Sequence, residues 1–237
     1  MMRQQIAILL LLSVCTLVAG CTDRVSGKAE PADKSGPYAE PPLPISALAG
    51  LLLDVGQINS ALGATSMKIW FDARKMWDWS ADVTDPNCLA VDGPAQAKVY
   101  ANTGWTAMRG QRLDDSVDGS KRRDHYAIQA VVAFPSGRDA ASFFKSSIQS
   151  WPACSQRRFS DPTPGQPDTV WAVAEVTNRD GTLSTSEVQE GGDGWTCQRA
   201  LTVRNNVAID IATCAFTQSG SAARDIAMQI AAKMAKQ

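Results

Sequence analysis

The sequence predicts an α+β fold, an antiparallel β-sheet flanked by helices and held by two disulfides. Three observations carry this. Helical and strand-like hydrophobic periods run as helix, strands, helix, several hairpin-linked strands and a last helix, rather than alternating as in a parallel α/β protein. Turn residues separate neighbouring strand patterns at hairpin spacing. Two cysteines stand as mirror images about the pair Asn205-Asn206.

That symmetry fixes a pairing. Alternating residues Trp195, Cys197, Arg199, Leu201 and Val203 read as one strand, and Val207, Ile209, Ile211 and Thr213 as its partner. Asparagine tolerates the positive φ that a two-residue hairpin loop needs. With Asn205 and Asn206 as the loop, Cys197 faces Cys214 in a non-hydrogen-bonded pair, where Cα atoms approach to about 4.5 Å, close enough for a disulfide. Cys88 and Cys154 then pair by elimination.

The elements follow in chain order. Ser46 is placed to cap a short helix through residues 47–52, and Asp54 a second that Gly63 ends. Residues 68–71, 97–101 and 125–134 read as strands, the last with Tyr126, Ile128, Ala130, Val132 and Phe134 on one face. Residues 138–151 repeat Ala140, Phe144, Ile148 and Trp151 at helical spacing, with Ser136 or Asp139 at the start. Residues 156–168 read as a proline- and charge-rich loop. Strand patterns at 169–177 and 182–189 flank a turn containing Asp180-Gly181. A last helix from about residue 219 carries Ala223, Ile226, Ala227, Ile230 and Met234 on one face.

The N-terminal part is organised differently. Arg3 followed by the apolar run IAILLLLSVCTLV has the layout of an export signal and is shorter than the ~20 residues a bilayer span requires. It ends in Val18-Ala19-Gly20-Cys21, which resembles a bacterial lipobox, so residues 1–20 are expected to be a lipoprotein signal peptide and Cys21 a lipidated N-terminus. Residues 21–44 are rich in proline and small residues and read as a flexible tether, leaving 45–237 as the folded domain. Two disulfides fit the oxidising side of a membrane. The expected location is therefore the extracytoplasmic face of the cell membrane, with the membrane itself a partner through the lipid.

Several function classes are disfavoured. A net charge of −1 leaves no surplus for neutralising phosphates, so no nucleic-acid partner is expected. His125 is the only histidine and no G-x-S-x-G is present, which leaves a hydrolase triad little to work with. Ser142 and Lys145 form an S-x-x-K, but the S-D-N and K-T-G that accompany it in penicillin-recognising enzymes are absent. Asp114, Ser116, Asp118 and Gly119 begin like a calcium loop, yet position twelve is His125 and Lys121-Arg122-Arg123 would repel a cation. That stretch reads as a solvated hairpin loop, and Gly191-Gly192-Asp193-Gly194 as a turn. No enzyme activity, metal or cofactor is expected.

What remains is the disulfide face of the hairpin. Arg199 lies diagonal to Asp210 there, so the two either pair beneath a covering layer or line a cleft; pairing is the favoured account. The seven tryptophans pose the same choice, with most expected in the core.

Taken together, the Leu51-Leu52-Leu53-Asp54 opening, Tyr100 through Gly104-Trp105, Trp151-Pro152-Ala153-Cys154 and the hairpin from Trp195-Thr196-Cys197-Gln198-Arg199-Ala200-Leu201 through Asn205-Asn206-Val207 and Asp210 to Cys214 resemble the PknH-like extracellular sensor domains of mycobacteria. The resemblance covers about residues 46–236. It implies an antiparallel sheet flanked by helices, the two disulfides above, and a cleft for an unidentified ligand. The corresponding expectation is a cell-envelope lipoprotein that binds a small molecule, glycan or lipid headgroup near Trp171, Trp195, Arg199 and Asp210. The alternative is a module that docks on an envelope protein.

Overall fold

The computed structural model describes residues 41–117, 123–162, 165, 167–216 and 220–235. The expected signal peptide, Cys21, the tether up to residue 40 and residues 118–122 of the calcium-loop-like stretch lie outside the described residues.

After a 3₁₀ turn at Ile45–Ala47 come helices α1 (Leu48–Leu51) and α2 (Val55–Leu62), strand β1 (Lys68–Ala73), and short helices α3 (Leu89–Asp92) and α4 (Ala97–Tyr100). Strands β2 (Ala107–Asp114) and β3 (His125–Ala133) lead to helix α5 (Gly137–Ser150), which a 3₁₀ turn at Trp151–Cys154 extends. Strands β4 (Arg158–Asp161), β5 (Thr169–Val173), β6 (Thr177–Arg179), β7 (Thr182–Gln189), β8 (Trp195–Arg204) and β9 (Val207–Phe216) precede helix α6 (Ala222–Met234). The strands form one sheet in the order β1-β2-β3-β9-β8-β7-β5-β4, with β6 on β7, and every strand pair is antiparallel.

Period-two alternation divides the sheet into two faces. One packs Ala200, Ile209 and Ile211 against Leu48 and Leu51 of α1, Ile58 of α2, and Ile226 and Ile230 of α6. The other packs Met108, Ala130, Val132, Leu201 and Ala208 against Leu89 and Val91 of α3, Tyr100 of α4, Phe143 of α5 and Trp151. Asp54 and Gln57 close a reciprocal capping box at the start of α2, and Gly63 ends it at φ 67°. Ser136 Oγ accepts from Asp139 N at the start of α5.

The hairpin register is as the symmetry requires. Cys197 pairs with Cys214 and their Cα atoms lie 4.0 Å apart. Cys88 and Cys154, 66 residues apart in sequence with Cα atoms 4.9 Å apart, form the second disulfide and tie the N-terminus of α3 to the end of the turn after α5.

Several local expectations are corrected. Residues 97–100 form the helical turn α4, not a strand, because Tyr100 N donates to Gln96 O four residues back while Ala97 N is taken by Trp77 O of a distant segment. Ser46 lies within the 3₁₀ turn and caps nothing through its side chain. Part of the supposed loop is β4, an edge strand on β5. The buried stripe of α5 runs through Ala140, Phe143 and Ser147, while Phe144 and Ile148 are only partly buried. Strand β2 has no counterpart in the sequence reading. Gly110 and two arginines blur its alternation, and the glycine is needed because a Cβ there would sit 2.6 Å from the Trp77 ring.

The domain also begins earlier than Ile45. Asn205 Nδ2 donates to Pro41 O at 2.8 Å, and Leu43 N donates to Asn206 Oδ1 at 2.8 Å, so the hairpin turn holds residues 41–43.

Candidate functional site

Between α3 and the disulfide face of the sheet lies a cleft of about 150 Å³. Its floor is built by five strands: Tyr126 and Ile128 of β3, Ala212 and Cys214 of β9, Trp195 and Cys197 of β8, Glu187 of β7 and Trp171 of β5. Trp79, Asp92 and Pro94 supply the wall and Arg123 the rim. The strand register explains the convergence, since Tyr126 pairs with Cys214, Cys197 with Glu187 and Trp171 with Gln189, placing inward positions of successive strands side by side.

The walls are set by specific contacts. Trp79 N donates to the buried Gln96 Oε1 at 2.8 Å, and its indole lies so close to Gly93 that a Cβ there would meet the ring at 2.3 Å. Trp171 Nε1 donates to Asp161 Oδ2 at 2.9 Å, which fixes the indole plane. Trp195 packs edge-on against Phe216 with centroids 5.0 Å apart. Arg123 lies 4.6 Å over the Tyr126 ring and 3.4 Å from Asp114.

Electrostatically the cleft is acidic. Glu187 is 2% exposed, and its Oε2 has no hydrogen-bond partner among the described residues. Burial, then the neighbouring Asp92, pushes the Glu187 carboxyl well above its usual range. Burial, then Asp161, pushes Asp92 up to about 8, and burial pushes Asp161 up to about 6. A buried carboxyl, Glu187, beside a half-buried one, Asp92, among aromatic walls in a concavity is the combination expected of a ligand site. Two larger hollows lack it. One of about 460 Å³ is lined by hydroxyls, aliphatic groups, Phe143, Asn87 and Lys98 and holds no carboxylate among the described residues, and one of about 360 Å³ has its only carboxylate among them, Glu175, exposed.

Of the residues singled out in the sequence, Trp171 and Trp195 line this cleft, whereas Arg199 and Asp210 lie deeper, 1% and 4% exposed. Arg199 Nη2 donates to Asp210 Oδ1 at 2.9 Å and to Ala90 O at 3.0 Å, Nε donates to Val91 O at 2.8 Å, and Nη1 donates to Ile211 O. Asp210 Oδ2 accepts from Ala95 N at 2.9 Å and Tyr100 Oη at 3.0 Å. The ion pair thus holds α3 and α4 on the sheet and supports the cleft wall from below. Most of the tryptophans belong to the core, as expected: Trp151 and Trp171 are buried in it, and Trp77, Trp79, Trp105 and Trp195 are half-buried and packed against it.

Sequence reasoning missed Glu187, Asp92, Trp79 and Tyr126 as cleft groups, and Asp161 as the partner of Trp171. One signal was available. Counting by twos from Leu183 along β7 puts Glu187 on the inward face and Val188 outside, as observed. Of the disfavoured motifs, Ser142 is exposed on α5 and donates to Arg138 O, and His125 Nδ1 meets Asp115 Oδ2 at 2.7 Å at the start of β3.

Comparison with known proteins adds the following. A family model described as the PknH-like extracellular domain matches residues 43–233. The serine/threonine-protein kinase PknH of Mycobacterium bovis is 33% identical over 200 residues, 84% of this chain and 33% of that protein. PknH of Mycobacterium tuberculosis is 33% identical over 200 residues, 84% of this chain and 31% of the kinase. The chain therefore spans about a third of the length of these relatives. The crystal structure of the extracellular domain of PknH from Mycobacterium tuberculosis matches with a TM-score of 0.76 at 30% identity, covering 83% of this chain and 99% of that one.

Proposed function

Since the chain belongs to the PknH-like extracellular domain family, we propose that it is a cell-envelope lipoprotein whose domain binds a small ligand in the cleft over the Cys197–Cys214 disulfide. The observation that carries this reading is Glu187. A buried carboxyl with an unpartnered oxygen is costly unless a ligand supplies the missing donor or, for the ionised form, a counter-charge. A small molecule, a glycan terminus or a lipid headgroup could supply it. Attachment at Cys21 rests on the lipobox-like Val18-Ala19-Gly20-Cys21, and the extracytoplasmic location on the family and the two disulfides. The role proposed is binding rather than catalysis.

The test is titration of the mature protein with fractionated envelope extract, followed by tryptophan emission and native mass. A fraction that adds mass and shifts emission in the wild type but not in Trp171→Phe supports the reading. A response that survives Trp171→Phe and Trp195→Phe together would place binding elsewhere. A second reading, docking on an envelope protein, draws on Ile69 and Phe71, exposed on the edge strand β1. It predicts that Phe71→Asp abolishes a partner interaction without changing ligand titrations.

A further inference from the structure

The cleft's charge and size narrow the chemistry of its ligand. Two acidic side chains, Asp92 and Glu187, line it against one cation, Arg123, which is already engaged by Asp114 and by the Tyr126 ring. The groups that face this pair are Asp161 on β4, Asp82 in the segment before α3, Arg199 on β8 and Arg123 before β3. Of the two arginines, Arg199 is committed to Asp210 and to three backbone carbonyls. Arg199 favours their ionised forms too weakly to offset burial, and among the described residues no other cation lies against Asp92 and Glu187 to stabilise those forms. Around them stand four aromatic side chains, Trp79, Trp171, Trp195 and Tyr126, and Arg123 over Tyr126 shows that a ring of this rim accepts a cation on its face. The volume of about 150 Å³ is below the roughly 300 Å³ at which sites for drug-sized ligands begin, so it suits a headgroup and not an extended saccharide.

We propose that the cleft recognises the ammonium group of an organic amine, held by Glu187 and Asp92 within the aromatic rim of Trp79, Trp171, Trp195 and Tyr126. This rests on the ligand-cleft reading above and specifies it. In the absence of a cation, burial favours the protonated forms of Glu187 and Asp92, the latter with a value of about 8, so an arriving ammonium group displaces protons to solvent as it binds. A neutral ligand does not. The ammonium group could belong to a free amine or to a lipid headgroup, and the cleft chemistry is the same for both.

The experiment titrates the mature protein with choline and with 3,3-dimethylbutan-1-ol, its uncharged isostere, by tryptophan emission and by calorimetry in two buffers of different ionisation enthalpy. Choline is expected to bind with release of protons, with affinity falling on the order of tenfold or more from about pH 9 to about pH 6 as the carboxyls regain their protons. Glu187→Gln, which keeps the side chain's size, is expected to lose that affinity while still melting cooperatively. Co-sedimentation with phosphatidylcholine but not phosphatidylglycerol vesicles would assign the ammonium group to a lipid, and binding of choline alone would assign it to a soluble amine; either supports the proposal. Equal binding of the isostere, or undiminished choline affinity in Glu187→Gln, overturns it. If choline fails but trehalose shifts emission in a Trp171-dependent way, the ammonium assignment falls and the ligand cleft stands. If no probe binds and envelope extracts are equally silent, both fall.

Discussion

Arg199 holds the cleft wall in place without forming part of it. Its removal would leave Asp210 buried and short of its ionic partner, so Arg199→Met is expected to destabilise the domain by about 3–5 kcal/mol, read from the urea midpoint at constant slope. Adding Asp210→Leu should recover part of that loss. Asp92 gives a second prediction at this scale, in pH. Its folded value of about 8 lies above the ~3.9 of an unfolded chain, so between them the unfolded state has lost a proton that the folded state keeps. Stability should therefore fall as pH rises from about 4 to about 8 and level off above. Differential scanning calorimetry across that window should show a shallower decline for Asp92→Asn. The two cases also differ in how far the sequence revealed them. The Arg199–Asp210 diagonal follows from hairpin register alone, which fixes cross-strand neighbours once the turn is known. Asp92 acquires its environment only when α3 folds over a sheet built from residues far along the chain, and no local pattern carries that.

The elements that local periodicity describes well were legible: β3, α5, the β8–β9 hairpin, α6 and the Asp-Gly turn between β6 and β7. Those shaped by contacts with distant residues were not. Strand β2 carries a glycine to admit Trp77, and α4 is too short for period two to be told from period 3.6. The disulfides act at this scale on different elements. Replacing Cys88 and Cys154 by serine is expected to cost roughly 4 kcal/mol, since the bridge closes a loop of 66 residues, and to expose the segment carrying α3 and α4 to limited proteolysis. Replacing Cys197 and Cys214 should cost about 3 kcal/mol, and urea unfolding of the two double variants would rank them.

For the whole molecule, the sequence supplied the α+β class, both disulfide pairings and the family, and with the family the expectation of a cleft beside Trp171 and Trp195, while its acidic lining emerged only from the assembled sheet. Membrane attachment is tested at this scale too. Cys21→Ser is expected to move the protein from the detergent phase to the aqueous phase in a Triton X-114 partition, and the wild-type N-terminal peptide should carry the mass of a diacylglyceryl group.

Pro41 and Leu43 are gripped by the Asn205-Asn206 turn, at the opposite end of the β8–β9 hairpin from Cys197 and Cys214. At about 3.3 Å per residue, roughly 25 Å of strand separates that grip from the disulfide on the cleft floor. A load applied at residue 41 would therefore enter the sheet at the hairpin turn, remote from the disulfide that floors the cleft.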